Sequence, residues 1–315
     1  MLQMSNRKKI KNYIVIFLVL SLCILIGCDK EEGLSVKVEQ IGSSENRDAE
    51  PKCLTPTAGG VMVLGDEELK IDVTNAADGY LFISYQGESD DIKIQLARED
   101  SITYTYKIFQ GDTVIPLTLG AGHYSVIAYE GMGNGMYAAR LSEKIEIESV
   151  DEFGPFLYPN YYVNFTADSS CVQLGKTLAE NATCDLEVIA SVYQYVVDNI
   201  SYDYDLANSV QSDYVPDVDK VLEQKKGICF DYAALMAAML RSQRIPTRLE
   251  IGYAGDAYHA WITTYIEDRG WINKVIEFDG NRWTLMDPTF AANAAGSSIE
   301  EFIGDGSNYA SKYTY

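Results

Sequence analysis

The sequence predicts an α+β domain preceded by an antiparallel β-sandwich, and three patterns along its 315 residues carry that expectation. From about Gly60 to Val150 apolar and polar residues alternate, the period-two pattern of half-buried strands. From Leu186 to Ile200 the apolar period lengthens to that of a helix. After Pro246 period two returns in several runs, so helices precede an antiparallel meander.

The first pattern resolves into short runs: Leu69-Ile71-Val73, Leu81-Ile83-Tyr85, Ile92-Ile94-Leu96, Tyr104-Tyr106-Ile108, Val114-Pro116, Tyr124-Val126-Ala128 and Ile145-Ile147. Turn signals separate them at Ala77-Asp78-Gly79, Gln110-Gly111-Asp112 and Gly120-Ala121-Gly122. Such spacing is that of an immunoglobulin-like sandwich. It holds no nucleophile–base pair, and His123 reads as a turn residue, so the sandwich reads as a spacer or binding accessory.

In the second half, Leu186, Ile189, Ala190, Tyr193, Val196, Val197 and Ile200 share one helix face, with Asp185 as its expected N-cap. An earlier helix spans Cys171–Glu180. A short one over Asp217–Gln224 follows Pro216, with Gly227 to end it. Tyr232, Leu235, Met236, Met239 and Leu240 continue at helical spacing from Cys229, and Ile245-Pro246 closes that helix. Strands follow at Leu249-Ile251-Tyr253, Trp261-Thr263-Tyr265, Trp271 to Phe278 and, after an Asp279-Gly280-Asn281 turn, Arg282–Asp287.

The N-terminus reads as an export signal. Arg7, Lys8, Lys9 and Lys11 precede an uncharged apolar run from Tyr13 to Gly27, short for a membrane span and suited to a signal-peptide core. It ends in Leu25-Ile26-Gly27-Cys28, which resembles the bacterial lipobox. The resemblance implies cleavage after residue 27, lipid on Cys28, and a protein anchored on the extracellular face of the bacterial cytoplasmic membrane. Each buried methylene adds about 0.8 kcal/mol to such an anchor. Residues 28–56, rich in Glu, Ser, Gly and Asn, read as a flexible acidic tether. The sandwich then covers 57–150 and the α+β domain 151–315.

The charge balance narrows the partners. A formal charge of −21, from 25 Lys+Arg against 46 Asp+Glu, argues against a nucleic-acid partner. Loss of the four cations of residues 1–27 leaves −25. With 2 His, a multi-His metal centre is excluded. Asp203, Asp205, Asp213, Asp217 and Asp219 do not fit an EF-hand loop, so they are expected as solvated charges, and neither metal nor cofactor is expected. Cys171 and Cys184 could bridge around the first helix or remain two free thiols.

Chemistry concentrates at Cys229. A thiol at a helix N-terminus has its thiolate stabilised by unpaired N–H groups and the helix dipole, and Gly227 permits close backbone approach. His259 opens a strand, and Asp287 ends a later one before Pro288. Nucleophile, base and orienter therefore occur in the order Cys, His, Asp. Gln224 is a candidate oxyanion donor or cleft residue, and Trp261 a cleft residue packing beside His259. Asp231, in the first helical turn, complements the dipole.

These segments resemble the transglutaminase-like superfamily. Lys226-Gly227-Ile228-Cys229-Phe230-Asp231-Tyr232-Ala233 is similar to its helix-start motif, Tyr258-His259-Ala260-Trp261 to its His-x-Trp strand, and Trp283-Thr284-Leu285-Met286-Asp287-Pro288 to its terminal Asp-Pro strand. Ile200-Ser201-Tyr202-Asp203-Tyr204 and Arg244-Ile245-Pro246-Thr247-Arg248 also resemble family segments. The resemblance spans about 155–290 and implies a papain-like fold with Cys229 as nucleophile, His259 as base and Asp287 as orienter. Asp268–Asn281 is a longer hairpin than the family minimum.

Three function classes follow. The first is a cysteine peptidase or amidase acting on peptide or protein amides, cell-wall peptides among them, through a Cys thioester. The second is a protein-glutamine transglutaminase, passing the same acyl group to a primary amine. The third is a non-catalytic binding module, which has no need of all three groups.

Overall fold

The computed structural model of the chain describes residues 47–267, 270–272, 276–278, 283–285 and 309–315. The expected signal segment and Cys28 lie outside the described residues. Among those described, no helix is long and apolar enough to cross a membrane.

Eight strands build the first layer pair: β1 (Val63–Gly65), β2 (Leu69–Asp72), β3 (Tyr80–Tyr85), β4 (Ile92–Arg98), β5 (Thr103–Ile108), β6 (Gly111–Pro116), β7 (Gly122–Gly131) and β8 (Tyr137–Ile147). They form two antiparallel four-stranded sheets, ordered β1-β2-β3-β6 and β5-β4-β7-β8. The alternation seen in the sequence becomes burial: Ile71, Leu81, Ile83, Ile92, Ile94 and Val126 are inaccessible to solvent. β1, at the edge, is absent from the sequence reading because Val61, Met62 and Val63 are exposed and do not alternate.

Asp72 supports this sandwich. Its carboxylate accepts the Gly60 amide at 2.6 Å and the Thr74 amide at 2.9 Å. Burial pushes its pKa up, but the Thr74 hydroxyl and these amides pull it further down, to a net value below the ordinary one. The folded state therefore holds this proton less tightly than the unfolded chain. The contribution is present above the unfolded pKa near 4 and is lost as pH falls through the lower, folded value. Asp72→Ala should cost about 1–3 kcal/mol in urea unfolding at pH 7, with the difference from wild type vanishing under strongly acidic conditions.

The second half follows with α1 (Ser170–Ala179), α2 (Asp185–Asn199), β9 (Ser201–Tyr202), α3 (Tyr204–Ser209), α4 (Val218–Gln224), β10 (Lys226–Gly227) and α5 (Cys229–Ser242). Several helix ends differ from expectation. Asp185 is the first residue of α2 rather than its cap, and its carboxylate accepts from Arg47 Nε at 2.5 Å instead. Lys225, at φ 51°, ends α4, whereas Gly227 joins β10, parallel to β9. α5 stops at Ser242 before Ile245-Pro246, with Arg244 turning at φ 66°. The acidic run is employed locally rather than simply solvated: Asp203 and Asp217 cap α3 and α4, Asp213 pairs with Lys107, and Asp219 accepts the Cys171 amide.

Strands β11 (Thr247–Ala254), β12 (Ala257–Ile266), β13 (Gly270–Ile272), β14 (Ile276–Phe278), β15 (Trp283–Leu285) and β16 (Tyr309–Thr314) complete the chain. The expected single strand from Trp271 to Phe278 is two: β13 returns on β12, and β14 pairs with β15 in a separate ribbon. β16 adds antiparallel to the open edge of β11, giving the order β13-β12-β11-β16. Leu249, Ala260 and Ile262 on one sheet face share a buried core with the apolar residues of α1, α2, α4 and α5.

The sandwich and the α+β part meet in a tyrosine seam rather than through a linker. Tyr104 lies 5.4 Å from both Tyr313 and Tyr315, and Tyr106 lies 5.3 Å from Tyr161, ring centre to ring centre. The Tyr161 hydroxyl donates to the Lys107 carbonyl at 2.6 Å. Part of the expected tether is also fastened down. Arg47 bonds to Asp185 and Gln243, the Lys52 amide donates to the Ser242 carbonyl at 2.9 Å, and Arg244 holds the Asp48 and Glu50 carbonyls. Composition alone could not show this, since the partners lie more than a hundred residues away.

Candidate active site

Cys229 opens α5 and is half-buried. The turn before it is fixed by Asp231, whose carboxylate accepts the Ile228 amide at 2.8 Å and the Tyr214 hydroxyl at 2.7 Å. Gly227 is needed there: a Cβ at that position would stand 2.7 Å from Asp231 Cβ. Asp231 is fully buried, and burial lifts its carboxyl above the ordinary range despite these two donors. The sequence reading of Asp231 as a dipole-complementing residue agrees with its place in the first turn, but it missed Tyr214. Nothing local marks that tyrosine, which is delivered by a loop braced through Asp213 to Lys107 of the sandwich at 2.8 Å.

Asp231→Ala should leave the Ile228 amide and Tyr214 hydroxyl unpaired, costing about 2–4 kcal/mol in chemical unfolding. With its pKa raised, the folded state holds the Asp231 proton more tightly than the unfolded chain, so this residue's contribution falls as pH rises through that window. Asp231→Asn should flatten that slope while keeping an acceptor for the amide.

Helix and strand lengths set the level of Cys229 against the sheet. The C-terminal end of α5 is tied to the start of β11 by Arg241, which donates to the Thr247 carbonyl at 3.0 and 2.8 Å. The 14 residues of α5 span roughly 21 Å at about 1.5 Å each. About six or seven strand residues at ~3.3 Å cover the same length. That length of β11 reaches Gly252 and Tyr253, whose cross-strand partners on β12 are His259 and Tyr258. Consistently, Cys229 is among the groups that raise the Tyr258 phenol, after burial, Tyr313 and Tyr253.

His259 is 6% exposed on β12, the strand against which α5 packs. Its ring stacks on Trp261 at 6.3 Å and meets Tyr309 edge-on at 6.3 Å. Trp261 Nε1 donates to Glu250 at 2.7 Å. Strand alternation places Tyr253, Tyr258, Ala260 and Ile262 on the sheet face that shares its core with α5, and His259, Trp261 and Glu250 on the opposite face, so Tyr258 rather than His259 is turned toward Cys229. Asp287 lies outside the described residues. Gln224 is exposed as the last residue of α4. Cys53, Cys171, Cys184 and Cys229 are all free thiols, and burial pushes Cys171 far up. Among the described residues no cluster of three or more metal-ligating side chains occurs.

Sequence reasoning missed the aromatic surroundings of Cys229. Tyr253 and Tyr258 pair at 5.5 Å and are both exposed, while Phe230, next to the cysteine, packs on Tyr162 at 5.1 Å. Tyr162 in turn contacts Tyr315 at 4.5 Å, joining the helix start to the seam. With Tyr at 23 of 315 residues, composition carried the signal without its location.

Residues 172–288 match the model of the Transglutaminase-like superfamily. The UPF0252 protein MJ1282 of Methanocaldococcus jannaschii is 29% identical over 92 residues, 25% of this chain and 26% of that protein's length. A proposed cysteine protease from Cytophaga hutchinsonii is similar at 17% identity and TM-score 0.35, over 73% of this chain and 69% of that one. The periplasmic domain of TgpA from Pseudomonas aeruginosa, bound to ethylmercury, is similar at 15% identity and TM-score 0.33, over 76% and 78%. Residues 172–288 of this chain are a transglutaminase-like domain.

Proposed function

We propose that the chain is a thiol enzyme that cleaves peptide or protein amides through a Cys229 thioester, with water as its usual acceptor. The observation that carries the reading is Cys229 at the N-terminus of α5, where unpaired N–H groups and the helix dipole favour the thiolate. The family match brackets Cys229, His259 and Asp287 together. In this mechanism His259 takes the thiol proton as Sγ attacks the amide carbon. The C–N bond then breaks, and the leaving amine receives that proton. The Cys229 backbone N–H stabilises the oxyanion, Asp287 orients the imidazole, and water releases the acid and restores the thiol.

The same proposal places lipid on Cys28 and the enzyme outside the cytoplasmic membrane, on the lipobox order at Leu25–Cys28. It takes the sandwich as immunoglobulin-like. The sheet order supports this, as does Tyr124 near the start of β7, whose hydroxyl donates to the Gly120 carbonyl four residues upstream.

The test is a diverse peptide mixture incubated with the full chain, with and without a labelled primary amine, read by mass spectrometry. New peptide termini or Gln converted to Glu support hydrolysis. Labelled amine incorporated at Gln as the main product replaces it with amine transfer. No product, with Cys229 alkylated by iodoacetamide no faster than a free thiol, replaces it with a binding module.

A further inference from the structure

Away from Cys229, three buried donors gather on the sheet face that carries His259. Arg248 Nε, Thr263 Oγ1 and Trp271 Nε1 have no hydrogen-bond acceptor. Arg248 and Thr263 are cross-strand partners, and Trp271 on β13 faces Tyr265, the next residue on that side of β12. The Arg248 guanidinium lies 3.6 Å from the centre of the Trp271 ring and 4.9 Å from that of Phe156. Glu250 and Glu152 act on it only from beyond ion-pairing distance, and burial pushes its pKa down. A half-buried cation with orphaned donors beside it costs free energy unless an anion or water completes the set.

Arg248 also lines a cavity of about 300 Å³ between the sandwich and the catalytic sheet. Leu117, Val150 and Phe156 give it apolar walls, and Asp151 and Glu152 contribute carboxylates. The volume is at the small end for ligand sites, the size of an amino acid or dipeptide. A simple anion would meet those two carboxylates and a chain of net charge −21. A ligand carrying both a carboxylate and an ammonium satisfies both sides of the cavity.

We propose that this seam cavity binds a small zwitterion, a free amino acid or a dipeptide. Arg248 takes the carboxylate through its guanidinium, and Asp151 and Glu152 take the ammonium. Amide hydrolysis releases molecules of this chemistry, but the site stands on its own geometry and does not depend on the catalytic reading.

The full chain is titrated by calorimetry and tryptophan fluorescence with L-alanine and with L-alanyl-L-alanine. N-acetylalanine, which lacks the ammonium, and alanine amide, which lacks the carboxylate, serve as comparisons. Saturable binding of alanine or the dipeptide, at least about tenfold tighter than either comparison compound, is expected; the two arms separate the free amino acid from the peptide. Arg248→Gln should weaken that binding about tenfold or more with an unchanged circular dichroism spectrum. Because Arg248 also packs on aromatic rings, Glu152→Gln, at an exposed position, gives an independent reading. It should weaken alanine roughly threefold while tightening N-acetylalanine, a sign reversal that a packing role cannot produce. Absence of saturation with both ligands, N-acetylalanine binding as tightly as alanine, or affinities unmoved in Glu152→Gln would each overturn the site.

Discussion

Cys229→Ala is expected to lower amide-cleaving activity by roughly ten-thousandfold or more while leaving the unfolding midpoint within about 1 kcal/mol of wild type. The two effects separate because the thiol is half-buried at a helix end, whereas the turn that holds it is fixed by Asp231, Tyr214 and Gly227. Losing one sulfur from such a position removes little buried area. His259→Ala should reduce activity to a similar degree, and the double variant should be no slower than either single one, since a nucleophile without its base is already disabled. Asp287→Asn should lower kcat more than it raises KM, as expected of an orienting group. Steady-state rates on a peptide found in the mass-spectrometric screen, with urea unfolding of each variant, check all four. A Cys229→Ala enzyme within tenfold of wild type would remove the thioester from the mechanism.

How much of this was legible in the sequence depends on range. The sandwich strands were readable because inward residues such as Ile71, Ile83 and Ile94 recur every second position, and each is fully buried. α5 was readable from its apolar face, and its start from Gly227 before Cys229. β16 was not, since its residues Tyr309 to Thr314 mix exposed Ala310, Ser311 and Lys312 with tyrosines, and a register shift near Ile251 and Gly252 breaks the alternation. The helix caps went astray where distant partners decided them. Asp185 has the chemistry of a cap, but Arg47, 138 residues away in sequence, claims its carboxylate. The candidate site shows the same division. Cys229, His259 and Asp287 were picked out by motif, whereas the support from Tyr214, Phe230 and Tyr162 comes through tertiary packing that no local pattern encodes. The seam is the extreme case: the alternation that marks Tyr104 and Tyr106 as inward residues does not say that Tyr315 will cover them.

Arg241→Met is expected to be the most destabilising single replacement of a charged residue, by about 3–5 kcal/mol. Arg241 sits in the last turn of α5 with 1% of its surface exposed. Burial works against its charge and pushes its pKa down. Four hydrogen bonds to main-chain carbonyls offset that penalty: two to Thr247 at the start of β11, one to Tyr315 after β16 at 2.9 Å, and one to Tyr158 at 2.9 Å. The guanidinium fork thus joins the helix, both strands of the sheet edge and the segment leading out of the sandwich. Methionine nearly preserves the buried volume but removes the guanidinium donors from the Thr247, Tyr158 and Tyr315 carbonyls, of which Tyr315 keeps the Leu249 amide at 2.8 Å; each acceptor left unpaired away from water costs about 1–3 kcal/mol. Arg241→Lys should recover only part of the loss, because a single ammonium cannot address three separate carbonyl groups in the geometry of a planar fork. Urea unfolding followed by tyrosine fluorescence and by circular dichroism checks this. One coincident transition at lower midpoint is expected, since the residue ties the sandwich side and the transglutaminase-like side into one cooperative unit. Two separated transitions in Arg241→Met would show instead that the seam tyrosines alone do not hold the halves together, while an unshifted midpoint would refute the role given to the fork.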